Sequence, residues 1–335
     1  MDMKKRVAVI GFGFMGETHA FNIMKNEDLK LVAIVDKDPH AIERILNSGN
    51  GNLSIGRVNL KKMEEVKWYS SLEPCLENEK LDAVHICVHT DLHYEKAKKA
   101  LGKGLHVLVE KPLCLDIRQG EELVNLAKGK GLTLMVAHVA RFMPPYQKLK
   151  AWIEGMEFGK LKFLSLNRFS GLPDWGQWKE KQETFGSSGG ALFDLVIHDI
   201  DYALYILGVP KNINNFSLPG RLSNHDYINT TWEYPEKEVS VKIEGGNIFH
   251  SGFPFQAGFI AQFDKASTLY STLQPETIFV SKNDNTEQIP AGDLSQGYFN
   301  EVSYFAKCIQ GNSQPLECMP GASLETIKIC NRYIQ

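Results

Sequence analysis

At 335 residues, with 43% hydrophobic and 23% charged side chains, the chain is long enough for two cores and too apolar to be disordered. A net charge of -3 and a pI near 6.4 supply no global positive field for a polyphosphate backbone, so no nucleic-acid partner is expected. No apolar run reaches the length of a membrane span, and Lys4, Lys5 and Arg6 precede too short an apolar stretch for a signal peptide.

In chain order, Val7 to Ile10, Leu31 to Val35, Lys67 to Tyr69, Ala83 to Val88, His106 to Val109 and Leu134 to Val136 read as strands. Helix-compatible runs separate them at about 14–26, 39–47, 72–79, 91–101 and 117–129. This alternation predicts a doubly wound parallel sheet of the Rossmann type over residues 1–140. Gly and Asn crowd the stretch 47–59, which reads as an irregular insertion. After Pro144-Pro145 and one more helix the pattern changes. Lys162 to Phe169, Tyr227 to Tyr234, Glu238 to Glu244 and Phe259 to Asp264 alternate as antiparallel strands do. One apolar helix interrupts them at about Gly190 to Leu207, stopping at Gly208 with Pro210 beyond. Residues 141–335 are therefore expected to form an α+β domain with a large, mostly antiparallel open sheet that binds substrate and mediates oligomerisation.

Gly11, Phe12, Gly13, Phe14, Met15 and Gly16 spell GxGxxG between the first strand and the first helix. Gly11 permits the tight turn, Gly13 lets a pyrophosphate approach the backbone, and Gly16 lets helix and strand pack closely. Asp36 ends the second strand, where a carboxylate accepts hydrogen bonds from the adenosine ribose and repels a 2'-phosphate. NAD is expected in preference to NADP, although Lys37 beside it offers a cation to a phosphate.

Ligands of open parallel sheets sit beyond the carboxyl ends of the strands, which draws attention to Cys87 to His93 and to Glu110-Lys111-Pro112. Pro112 bars Lys111 from helical angles, so its ammonium either polarises a reacting oxygen or lies in an exposed turn. His85, Cys87 and His89 share the parity of a strand face, but a buried strand reads first as core, and no metal is expected. Six scattered cysteines without CxxC pairs suit the cytoplasm.

Later, Asp194 and His198 stand four apart in an apolar helix and share one face. The pair is either a general acid/base with its orienting carboxylate or a structural ion pair near a helix start. Asp201 is placed to support the ring, whereas Asp199 points elsewhere and is expected to be solvated. Arg168 and Trp178, in the segment before this helix, supply hydroxyl-binding and stacking groups suited to a sugar, or part of a simple lid.

GFGFMG, VDKDP at 35–39, DLH at 91–93, HVLVEKPL at 106–113, AHVARF at 137–142 and GGALFDLVIHDID at 189–201 resemble, in that order, the Gfo/Idh/MocA oxidoreductases, a family that includes glucose-fructose oxidoreductase and inositol dehydrogenases. The resemblance implies that Lys111, Asp194 and His198 are the catalytic set. It implies that Phe14, Met15, His93 and Glu110 line the cofactor, and that Arg141 lies near the nicotinamide and substrate. Val88-His89 stands where many members carry Thr-Pro, which puts Val88 on the nicotinamide side. The implied activity is hydride transfer between NAD and a secondary hydroxyl of a sugar or polyol, in a homodimer or homotetramer. Two alternatives remain open: an NAD-using glycoside hydrolase of the same fold and a non-enzymatic dinucleotide sensor.

Overall fold

The computed structural model describes residues 4–43, 56–172 and 189–334. Within it the chain divides into two compact units, Met1–His138 with Tyr298–Leu324, and Val139–Gly297 with Glu325–Gln335.

The first unit is built on β1 (Lys5–Ile10), β2 (Leu29–Val35), β3 (Lys67–Tyr69), β4 (Ala83–Ile86), β5 (His106–Glu110) and β6 (Leu134–Ala137). All pairings are parallel and the order is β3-β2-β1-β4-β5-β6. Such a sheet is covered on both faces, and Val7, Ala8, Val9, Val84, Val107, Leu108 and Val136 are each fully buried. The helices are α1 (Phe14–Lys25), a single turn α2 (Leu60–Met63), α3 (Leu72–Asn78), α4 (His93–Gly102) and α5 (Ile117–Gly129). Strand order reverses between β1 and β4, so the crevice for a ligand opens beyond Ile10 and Ile86. The helix expected at 39–47 is described only at residues 41–43, and most of the 47–59 stretch lies outside the described residues.

The second unit carries an eight-stranded sheet in the order β14-β13-β12-β11-β7-β10-β9-β8. Its strands are β7 (Leu161–Gly171), β8 (Asn212–Leu218), β9 (Tyr227–Tyr234), β10 (Val239–Phe249), β11 (Gln256–Phe263), β12 (Ser267–Ser271), β13 (Thr277–Lys282) and β14 (Asn285–Pro290). Every pairing is antiparallel except β7 with β10, which lie side by side in the same direction because the intervening chain crosses over between them. The helices are α6 (Pro144–Glu154) and α7 (Ile197–Leu207), the latter entered through a π-helical stretch, Leu192–Val196. Positive φ angles at Gly189 (88°) and Gly190 (69°) turn the chain into that stretch.

Two further helices, α8 (Gln296–Gln310) and α9 (Pro320–Tyr333), follow the sheet. The sequence reading assigned all of 141–335 to one domain, yet residues 298–324 pack with the first unit. There Phe305 meets the His85 ring edge-on with centroids 5.3 Å apart, Asn26 donates to Ser303, and the His138 ring is 2.9 Å from the Ser323 hydroxyl.

Two buried ion pairs hold α7. Arg168, on β7, donates to both carboxylate oxygens of Asp199 (2.8 and 3.1 Å), and Arg141 donates to both of Asp201 (2.8 and 2.6 Å). Thr326 adds a hydrogen bond to Asp201, and the Arg141 guanidinium lies 4.6 Å from the centre of the Tyr205 ring. The expectation of a solvated Asp199 is corrected: the residue is fully buried. Burial pushes its carboxyl above the usual range against the pull of the Arg168 guanidinium, and the bidentate geometry shows the pair that results. Removing one partner strands a buried charge. Arg168→Met is therefore expected to cost about 3–5 kcal/mol in chemical denaturation, with the double change Arg168→Met/Asp199→Leu recovering most of that loss.

Candidate functional site

In the first unit the glycine loop has the geometry that its three positions require. Gly11 adopts φ +88°, and a Cβ there would sit 2.7 Å from the Cys87 carbonyl oxygen. A Cβ on Gly16 would meet the Gly11 carbonyl oxygen, so α1 packs against the turn with no room for a side chain. At Gly13 the outcome is the opposite: a Cβ would meet nothing within 4 Å, which leaves the backbone approachable at the N-terminus of α1. Phe14 and Met15 are partly exposed at the same end. Phe12 points the other way, fully buried against Trp68 with ring centroids 5.2 Å apart. Its backbone N–H donates to Asp36 Oδ2 at 2.6 Å, while Asp36 Oδ1 accepts from Asp38 N–H at 2.9 Å. Asp36 thus ties the glycine turn to the end of β2 and remains partly exposed there, with Lys37 exposed beside it. A loop open only at its middle glycine, with a carboxylate at the neighbouring strand end, fits the pyrophosphate and ribose of a dinucleotide.

His93 lies between the segments that follow β4 and β5, where a neutral ring donates to one of two nearby carbonyls. Its ring nitrogens lie 2.7 Å from the Pro112 carbonyl oxygen and 3.0 Å from that of Val88. Burial pushes the ring below its ordinary pKa, against the raising effect of the two carbonyls and of Glu110, and Lys111 reinforces the lowering. His93 therefore fixes the corner that carries the partly exposed Lys111. The Lys111–Pro112 peptide bond is cis.

Behind this corner lies a cluster that sequence reasoning left out. His19 Nε2 is 2.9 Å from Glu110 Oε1, and His19 Nδ1 is 2.9 Å from His85 Nδ1. Glu110 Oε2 accepts the Lys111 backbone N–H at 3.3 Å. His85 belongs to the packed core, and burial with the neighbouring His19 pushes it well below its ordinary value. Glu301, on α8, is pushed well above the carboxylate range by burial and by the Glu110 charge, and Cys87 is raised by burial, Glu110 and Glu301. Among the described residues no group of three or more His, Cys, Asp or Glu side chains could hold a metal ion.

In the second unit, Asp194 and His198 are the two positions between 191 and 203 that are not buried. Asp194 lies within the π-helical stretch and His198 in the first turn of α7. Irregular turns of this kind recur at functional sites. Arg141 and Arg168 are the buried ion-pair partners described above, and in this structure their guanidinium groups anchor α7. Trp178 lies outside the described residues.

The parallel sheet, its switch point and the glycine loop define a dinucleotide-binding protein. Comparison with known families agrees: residues 5–138 match the model of the oxidoreductase family with an NAD-binding Rossmann fold, and residues 146–252 match the GFO/IDH/MocA C-terminal domain. The chain belongs to the Gfo/Idh/MocA oxidoreductase family. It is 26% identical over 330 residues to scyllo-inositol 2-dehydrogenase (NAD(+)) of Bacillus subtilis, covering 94% of this chain and 89% of that one. It is 30% identical over 254 residues to D-glucoside 3-dehydrogenase of Escherichia coli, covering 74% and 67%. The fold is shared with levoglucosan dehydrogenase in complex with NADH and levoglucosan, with a TM-score of 0.81 at 18% identity over 99% of this chain and 96% of that one.

Two outcomes check this account. Gly13→Val adds a side chain where the protein itself offers no obstacle, so its melting temperature should stay within about 2 °C of the parent, while NAD affinity measured by calorimetry falls at least about 100-fold, or roughly 2.7 kcal/mol. Glu301 holds its proton more tightly when folded than when unfolded. The stability it contributes is therefore complete below its ordinary value of 4.5 and lost as pH rises toward its folded value. Glu301→Gln, uncharged at all pH, should match the parent in acid and become progressively more stable than it toward alkaline pH, by at most about 1.4 kcal/mol per pH unit, as followed by thermal melts across pH.

Proposed function

We propose that this NAD-dependent oxidoreductase oxidises a secondary hydroxyl of a sugar or polyol, with Lys111, Asp194 and His198 as its catalytic residues. The observation that carries the reading is the partial exposure of Asp194 and His198 on an otherwise buried stretch, in a family of NAD-binding oxidoreductases. The inositol and glucoside dehydrogenases among its relatives support the substrate class.

Bound NAD+ supplies the hydride acceptor. His198 takes the hydroxyl proton as general base, because imidazole titrates near neutral pH. Asp194 orients the ring and stabilises its protonated form. The Lys111 ammonium hydrogen-bonds the substrate oxygen and offsets the negative charge that develops there as the proton leaves, a role suited to a compact charge at a fixed corner. Phe14, Met15, Val88 and Glu110 line the cofactor's path along the strand ends, and Asp36 selects the unphosphorylated ribose.

Six free cysteines and the lack, among the described residues, of any helix long and apolar enough to cross a membrane support a cytoplasmic setting. Exposed Phe163, Ile260 and Leu269 on neighbouring strands of the open sheet support assembly into a homodimer or homotetramer through that face.

The test is a screen of sugars, inositols and sugar acids for NADH formation, repeated with NADP, alongside sedimentation analysis. Lys111→Ala should lose at least about 1000-fold in kcat, the scale expected for an electrostatic stabiliser, with NAD binding nearly intact. Unchanged turnover would refute the role given to Lys111. Sugar release from a glycoside without net NADH would point instead to the hydrolase chemistry, and a monomer in sedimentation would end the assembly proposal.

A further inference from the structure

The buried polar chain behind Lys111 joins α1, β4 and β5, and its two histidines are used by no step above. We propose that His19 and His85 are positioning residues for the reaction: His85 donates to His19, His19 donates to Glu110, and this chain of two neutral imidazoles holds the Glu110 carboxylate and the Lys111 corner in one arrangement. The proposal rests on the catalytic reading of Lys111 given above.

The proton register follows from the contacts. Glu110 Oε2 accepts the Lys111 N–H and Oε1 faces His19 Nε2, so a Glu110 carboxylate is satisfied only when His19 Nε2 carries a hydrogen. A neutral His19 then presents a bare Nδ1. The partner at that nitrogen, His85 Nδ1, must be the donor across 2.9 Å. His85 Nε2 is left bare, in agreement with its having no hydrogen-bond partner among the described residues.

A second proton on His19 would reverse this order. His19 Nδ1 would become a donor, His85 Nδ1 an acceptor, and the remaining His85 hydrogen would move to Nε2, where a buried N–H would go unsatisfied. The side chains 19, 85 and 301 are almost fully enclosed, so water is a poor substitute partner. The titratable groups facing Glu110 are His19 from α1, Cys87 after β4, His93 from α4, Glu301 from α8 and Lys111 on its own segment. Among them His19 supplies the side-chain hydrogen bond to Glu110. The result is a tautomer lock transmitted from a core histidine to a functional corner, and orientation of this kind typically changes activity by about 10- to 100-fold where it has been removed from other sites.

The experiment uses the full-length chain with ¹⁵N-labelled histidine, with and without NAD. Expected are the Nε2–H tautomer at His19 and the Nδ1–H tautomer at His85. Like tautomers at the two rings, or a second proton on either, would overturn the proposal. In turnover, His85→Leu and His19→Leu should each lower kcat at least about tenfold with the KM for NAD little changed. His85→Asn and His19→Gln, which return an N–H to the required place, should restore most of it. Equal loss in the Leu and amide variants would mark a merely structural role and sink the idea. If the Leu variants do not fold, the amide variants must still keep at least half of kcat, and the tautomers decide independently. Wrong tautomers with an inactive Lys111→Ala would remove the relay alone, whereas correct tautomers with an active Lys111→Ala would remove the catalytic reading on which its role depends.

Discussion

Taking a carboxylate out of water costs several kcal/mol unless protein donors replace the lost hydration, and each unit of this chain turns on carboxylates placed under that constraint. Asp36, still partly exposed, accepts two backbone N–H groups and thereby joins the glycine turn to β2. Glu110 takes an imidazole and a backbone N–H. Asp199 and Asp201 take one arginine each and fix the helix that carries Asp194 and His198. Glu301 meets the same constraint in the other way: burial and the Glu110 charge push its carboxyl well above the usual range. The positions of the functional side chains follow from how these charges are satisfied.

The two arginines show why residue type alone does not reveal a side chain's partners. Arg141 and Arg168 have the chemistry to hold a hydroxylated substrate, and sequence reading placed them there. In the structure their bidentate pairs with Asp201 and Asp199 tie α7 to the segment after β6 and to β7. Nothing local in the sequence distinguishes the two uses, because the partners are 60 and 31 residues away.

Four strands of the second sheet, β8, β12, β13 and β14, were not read from the sequence. β8 and β14 are mostly exposed along their length, so no apolar alternation marks them, whereas β7 and β9 alternate clearly and were read correctly. The same reasoning explains β4, which stops at Ile86 rather than Val88: an apolar run continues past the last ladder pair, and only the pairing with β1 and β5 shows where the strand ends.

By itself the sequence determined the parallel first sheet, the glycine loop, the acid at the end of β2, Lys111 before Pro112 and the spacing of Asp194 and His198, because each of these is written in residues near one another and enforced by local sterics or periodicity. Only the tertiary structure decided that residues 298–324 join the first unit, that β7 and β10 run parallel, that Asp199 is buried, and that His19, His85, Glu110 and Glu301 form one cluster. Those outcomes depend on desolvation and on hydrogen-bond partners drawn from distant segments, and long-range pairing of that kind leaves no periodic trace in the chain.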